Sequence, residues 1–97
     1  MLEIEIDLNG QVQNVVMKRL EIIIGRRNEA REVDLDLSPD DSVSRVHARV
    51  WVTEGCVYIE DLESSAGTFV DGQKIQEPVQ LDSGSEVEIG DTHLCFH

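Results

Sequence analysis

Three dipeptides, Asn9-Gly10, Glu54-Gly55 and Asp71-Gly72, each fall between two runs that read as strands. Such a pair accepts the positive backbone angles of a two-residue turn, so the runs it joins are antiparallel hairpins. Before the first, Leu2, Ile4, Ile6 and Leu8 alternate with Glu3, Glu5 and Asp7, the pattern of a strand with one wet face. Residues 11–17 can return beside it. The second pair joins 46–53 to 56–61, and the third joins 68–70 to 73–75. Residues 20–24 read as a central strand apolar on both faces, and Val33, Leu35 and Leu37 alternate with Asp34 and Asp36. Runs at 79–81, 86–89 and 93–96 complete the series. Twelve valines and eight isoleucines, against eight leucines and three alanines, favour sheet throughout. The one helix candidate, residues 28–32, is a single charged turn without an apolar stripe. The expectation is all-β: an antiparallel β-sandwich, with residues 1–97 as a single domain.

Charge narrows the partners. Eight basic against twenty acidic residues leave a formal charge of −12. A surface this acidic repels the phosphate backbone of nucleic acid. Apolar runs such as Ile22-Ile23-Ile24 are far below membrane-spanning length, and the opening Met-Leu-Glu-Ile-Glu-Ile-Asp has neither a basic leader nor an apolar targeting stretch. Cys56 and Cys95 make neither a disulfide framework nor a metal cluster. A reducing, cytoplasmic setting is expected, with no nucleic-acid or membrane partner.

In a sandwich the strands are scaffold, and function sits in loops at one end. The connections 25–32, 38–44 and 62–67 hold Arg26, Arg27 and Arg31, then Ser42 and Ser44, then Ser64 and Ser65. Arg45 and His47 follow directly after the second. Guanidinium groups with hydroxyl and backbone N–H donors are the chemistry that holds a phosphate dianion. From composition alone the simpler reading is a solvated surface, on which the arginines pair with Glu29, Glu32, Asp40 and Asp41.

Other chemistries fit less well. Asp34-x-Asp36-x-Ser38-x-Asp40 begins like a calcium loop, but Pro39 and Arg45 stand where such a loop needs Gly and Glu. His47, Asp61 and Ser64 or Ser65 supply the residue types of a hydrolytic triad without a G-x-S-x-G elbow. His47, His93 and His97 lack ligand spacing, since positions i and i+4 of a strand lie far apart.

In order along the chain stand Gly25-Arg26, then Ser44-Arg45-Val46-His47-Ala48, then Asp61-Leu62-Glu63-Ser64-Ser65-Ala66-Gly67-Thr68-Phe69-Val70-Asp71-Gly72. Together these motifs resemble the forkhead-associated (FHA) domain. Asp34-Leu35-Asp36-Leu37 resembles the strand that family places between the first two, and Leu81-x-x-Gly84-x-Glu86-Val87-x-Ile89-Gly90 its closing segment. The resemblance covers residues 20–97 closely and 1–19 as leading strands.

It implies an eleven-stranded β-sandwich that binds phosphothreonine in partner proteins and catalyses nothing; with the cysteine, calcium-loop and histidine readings above, no cofactor or metal is expected. The phosphorylated segment would belong to another protein or lie elsewhere in the same full-length chain. Carried over residue by residue, Arg26 and Ser44 would contact the phosphate, Arg45 would add a phosphate or peptide contact, and Ser65 would help bind the phosphothreonine. Gly25, His47, Gly67 and Thr68 would shape and brace the loops. One departure stands out. Position 66, most often Asn in the family and there a peptide-backbone contact, is Ala66 here. The first loop, 27–33, is also longer and more charged than usual. Ala66 and the acidic surface motivate an alternative, a phosphate-independent scaffold or self-association domain on the same fold.

Overall fold

The computed structural model describes residues 2–29, 32–38 and 40–97, and its eleven strands form two sheets. The strands are β1 (Leu2–Leu8), β2 (Gln11–Met17), β3 (Glu21–Gly25), β4 (Leu35–Asp36), β5 (Val46–Thr53), β6 (Cys56–Asp61), β7 (Thr68–Val70), β8 (Gln73–Lys74), β9 (Val79–Leu81), β10 (Glu86–Ile89) and β11 (Thr92–Phe96). One sheet runs β2-β1-β11-β10-β7-β8, and the other β4-β3-β5-β6-β9. Glu29 and Glu32 lie outside any helix, as the missing apolar stripe requires. No helix among the described residues is long and apolar enough to cross a membrane.

The three X-Gly turns close hairpins. Asn9 and Gly10 take φ of 54° and 83°, Glu54 and Gly55 take 50° and 78°, and Asp71 and Gly72 take 50° and 84°. Two successive positive φ values match the right-handed twist of the strands they connect. Period-two alternation then sets the faces. Leu2, Ile4, Ile6, Val87, Ile89, Leu94 and Phe96 point inward from the six-stranded sheet and meet Ile22, Ile24, Ala48, Val50, Ile59 and Leu81 from the other. That shared apolar layer fixes register, because a one-residue slip would turn a whole strand outward.

Two sequence expectations need correction. Leu20 precedes β3 and is 66% exposed, so the strand does not begin there and its outer face starts with the exposed Glu21. The stretch 33–37 is strand only at Leu35–Asp36, and it runs parallel to β3 rather than antiparallel. The cause is local. Asp34 folds back on β3, its N–H donating to the Ile23 carbonyl at 2.9 Å and its carboxylate accepting from the Ile23 N–H at 2.8 Å. The chain therefore returns alongside the middle of β3 and leaves in the same direction.

One carboxylate fastens a sheet end to the loops. Asp40, 5% exposed, accepts from the Ser42 N–H at 3.0 Å, the Asp91 N–H at 2.8 Å and the Thr92 hydroxyl at 2.7 Å, and also from the Ser42 hydroxyl. Burial alone would push this carboxyl up, but the donors from Ser42, Thr92 and Asp91 outweigh it and hold it below the usual carboxylate range. A depressed folded-state value contributes stability that is present above the unfolded value and lost as pH falls through the folded one. Stability in urea is thus expected to hold near neutral pH and decline below about pH 4, where carboxylates begin to protonate. Asp40→Asn should cost about 1.5–3 kcal/mol at neutral pH and make the acid decline shallower. An unchanged acid limb in that variant would contradict the role given to Asp40.

Candidate functional site

Three loops at one end of the sandwich carry the predicted residues, and hydrogen bonds stitch them together. The first begins where β3 ends. A Cβ at Gly25 would lie 2.1 Å from the Arg45 carbonyl oxygen, so only glycine lets the first and second loops approach this closely. The Arg26 N–H donates to the same carbonyl at 3.2 Å. The Arg26 side chain is half-buried and directional, its Nε–H donating to the Val43 carbonyl at 2.9 Å. The guanidinium is thereby held on the carbonyl that directly precedes Ser44.

The second and third loops meet through Ser44 and His47. The Ser44 hydroxyl oxygen accepts the Ser65 N–H at 3.0 Å, which leaves its own proton available to a ligand. The fully buried His47 ring accepts the Ser44 N–H at Nδ1, 3.0 Å away, and its Nε2 lies 2.8 Å from the Gly67 carbonyl oxygen. Accepting at Nδ1 requires the proton on Nε2, so the ring donates to Gly67 and spans both loops. Gly67 has φ of +86°, where an L side chain is strained, and the Lys74 stem occupies the space a Cβ would need.

Asp61 organises the third loop from beneath. Its carboxylate accepts from the Ser64 hydroxyl and N–H and from the buried Thr68 hydroxyl at 2.7 Å, while the Gly67 N–H donates to the Ser64 oxygen at 2.9 Å. Burial would raise this carboxyl, but the Ser64 and Thr68 donors, with His47 nearby, hold it low. These contacts do not make a triad. The Ser64 proton goes to Asp61, and both His47 nitrogens are taken by backbone groups. The calcium-like run is likewise committed: Asp34 to Ile23, Asp36 to the N–H groups of Arg27 and Ser38, and Asp40 to Ser42, Asp91 and Thr92.

Electrostatics separates the arginines. Arg19 pairs with Asp34, and Arg49 pairs with Glu21 at 2.8 Å and Glu60 at 3.2 Å while covering the Trp51 ring at 4.2 Å. Arg49 follows the second loop closely in sequence but is spent on the sheet face. Among the described residues, no carboxylate lies within ion-pair distance of the Arg26 or Arg45 guanidinium. The solvated-surface reading required such pairs with Glu29, Glu32, Asp40 and Asp41. Arg31, in the same loop, lies outside the described residues, as does Pro39. Arg45, Ser65 and Ala66 are exposed, and Ala66 offers methyl where an amide would stand.

Two contributors escaped sequence reasoning. Asn28 donates to the Arg26 carbonyl at 2.9 Å and the Arg45 carbonyl at 3.3 Å, clasping the first loop to the second. Lys74 is brought over Gly67 by the Asp71-Gly72 hairpin, its aliphatic stem filling the space a Cβ there would need. No motif announces either one. Only the hairpin register could have suggested Lys74.

Fold and site together define a loop-end binding module on a β-sandwich, built around an Arg26 guanidinium that is anchored through Nε and pairs with no carboxylate among the described residues. The FHA domain family model matches residues 22–90, and the chain belongs to that family. Nibrin of Danio rerio is 33% identical over 84 residues, which span 84% of this chain and 10% of Nibrin. The chain thus corresponds to about a tenth of that relative's length. Among solved structures, the FhaA FHA domain complexed with the intracellular domain of Rv3910 superposes with a TM-score of 0.83 at 24% identity, covering 100% of both chains. Mycobacterium tuberculosis EmbR, in complex with a low affinity phosphopeptide, superposes with a TM-score of 0.82 at 26% identity, over 98% of this chain and 24% of that one.

Proposed function

We propose that this domain is a phosphothreonine-dependent interaction module that binds phosphorylated segments of a protein partner and carries out no catalysis. The observation that carries the reading is Arg26. On a chain with twenty acidic residues its guanidinium is anchored through Nε, and no carboxylate among the described residues pairs with it. Phosphothreonine brings about −1.5 to −2 charge and three acceptor oxygens. Arg26 offers its Nη donors, Ser44 a hydroxyl proton and Ser65 a second hydroxyl, with Arg45 and Lys74 at the margins. Family membership and the phosphopeptide complex of EmbR support the same chemistry. Ala66 removes one peptide-backbone contact, so affinity should depend more on the phosphate and less on flanking sequence.

The test is one threonine peptide in three forms: phosphothreonine, phosphoserine and unmodified. Binding only of phosphorylated forms, with threonine preferred, is expected; equal binding of all three across a varied peptide set would overturn the proposal. The phosphate-independent reading has one feature in its favour. The edge strand β2 carries no charged residue over Gln11–Met17, with Val12 and Val16 more than half exposed, and leaves backbone groups open to another strand. It predicts association that phosphate does not alter.

A further inference from the structure

The outer face of the six-stranded sheet holds a second chemical cluster, far along the strands from the reading loops. Thr92, at the start of β11, bonds to Asp40 of the loop end, whereas Cys95 and His97 lie toward and just past the strand's other end. In β11 and its extension, Cys95 and His97 stand two residues apart, so both side chains leave the same face. Pairing with β1 sets Glu5 directly opposite Cys95. The His97 N–H donates to the Glu3 carbonyl at 2.8 Å, which extends that ladder to the last residue. One ligating atom from each of Glu5, Cys95 and His97 lies within 4.8 Å of the others.

We infer that Glu5, Cys95 and His97 form a binding site for a divalent transition metal, zinc being the best chemical fit. Thiolate, imidazole and carboxylate together are a zinc-type donor set, and three protein ligands leave a fourth tetrahedral position for water or another donor. Ligand atoms around tetrahedral zinc stand roughly 3.3–3.8 Å apart, from bond lengths of about 2.0–2.3 Å. Small side-chain rotations close the remaining gap, while the backbone positions are already set by paired strands. Glu86 is paired with Cys95 on its other side and shares that face of the sheet. Asp7, Glu3 and Glu88 on the same face add negative potential, and His93 is turned to Glu88 at 3.6 Å. In the metal-free form the Cys95 thiol donates to the Ser85 carbonyl at 3.6 Å; metal binding would release the thiol proton to solvent and exchange that contact for a metal–sulfur bond. The expectation of no metal followed from the two cysteines, the broken calcium-like run and the histidines, each read by spacing along the chain. Here the ligands converge through strand pairing, between residues near opposite ends of the sequence.

The experiment uses the full chain without a histidine tag, reduced and stripped with chelator, titrated with cobalt(II) and then zinc. One equivalent of cobalt should produce thiolate-to-metal charge-transfer absorption, which zinc displaces. Cys95→Ser should abolish the band, Cys56→Ser should leave it intact, and Glu5→Gln and His97→Ala should each weaken binding at least tenfold. A missing band, a band that survives Cys95→Ser, or one indifferent to both Glu5→Gln and His97→Ala would overturn the site. Melting temperatures of the metal-free variants should stay near that of the unsubstituted protein. Phosphopeptide affinity is measured in parallel and should not respond to zinc, so the outcome stands apart from the function proposed above.

Discussion

Arg26→Ala is expected to weaken binding of a phosphothreonine peptide by about a hundredfold or more, while the domain stays folded. Charge-assisted hydrogen bonds contribute about 1.5–3 kcal/mol each, and loss of two removes about 3–6 kcal/mol. Each 1.4 kcal/mol is about tenfold in affinity, so this is the largest single effect the site offers. The structural loss is smaller. The Arg26 N–H bond to Arg45 is a backbone bond and survives, and only the Nε bond to Val43 disappears. Arg26→Lys tests geometry against charge: an ammonium keeps the positive charge but cannot hold the Val43 carbonyl while presenting a planar pair of donors. It should recover a minor part of the affinity. Titration calorimetry beside a thermal melt measures both quantities, and an alanine variant that binds within threefold of the parent would remove Arg26 from the site.

The largest effect on stability is expected from His47→Ala, at about 3–5 kcal/mol. The ring is fully buried and serves two backbone groups, the Ser44 N–H and the Gly67 carbonyl. Its removal leaves both without a partner, at about 1–3 kcal/mol each, and opens a cavity as well. In a domain of this size 1 kcal/mol corresponds to a melting shift of about 4–8 °C, so a drop of roughly 15 °C or more is the expected reading. Binding should fall with it, because the ring joins the loop of Ser44 to the loop of Ser65. A variant that melts within a few degrees of the parent would show that the loops are held by other means.

The hairpins were legible because each was encoded locally, in alternation on both sides of an X-Gly pair. What alternation missed lay where a side chain overrode it. Asp34 looks like an outward strand residue, yet its carboxylate turns back to β3 and shortens β4 to Leu35–Asp36. Motif order placed Arg26, Ser44 and Ser65 on loops that do meet. It could not separate Arg49 from them, because the partners of Arg49 lie on β3 and β6, across the sheet. Nor could it show the Asp40 cluster or the Glu5–Cys95 pair, which join residues 52 and 90 positions apart. Contacts of that range depend on which strands become neighbours, and no local pattern carries that information.

The stitched loops have a consequence for timing. Gly25, Asn28, Ser44 and His47 order the three loops when the chain folds, so little rearrangement remains when a ligand arrives. Docking onto a preformed surface proceeds at ordinary association rates, and related ligands then differ chiefly in how long they stay. Residence time would therefore track the phosphate contacts, and removal of the phosphate by a phosphatase during each brief dissociation would end the interaction promptly.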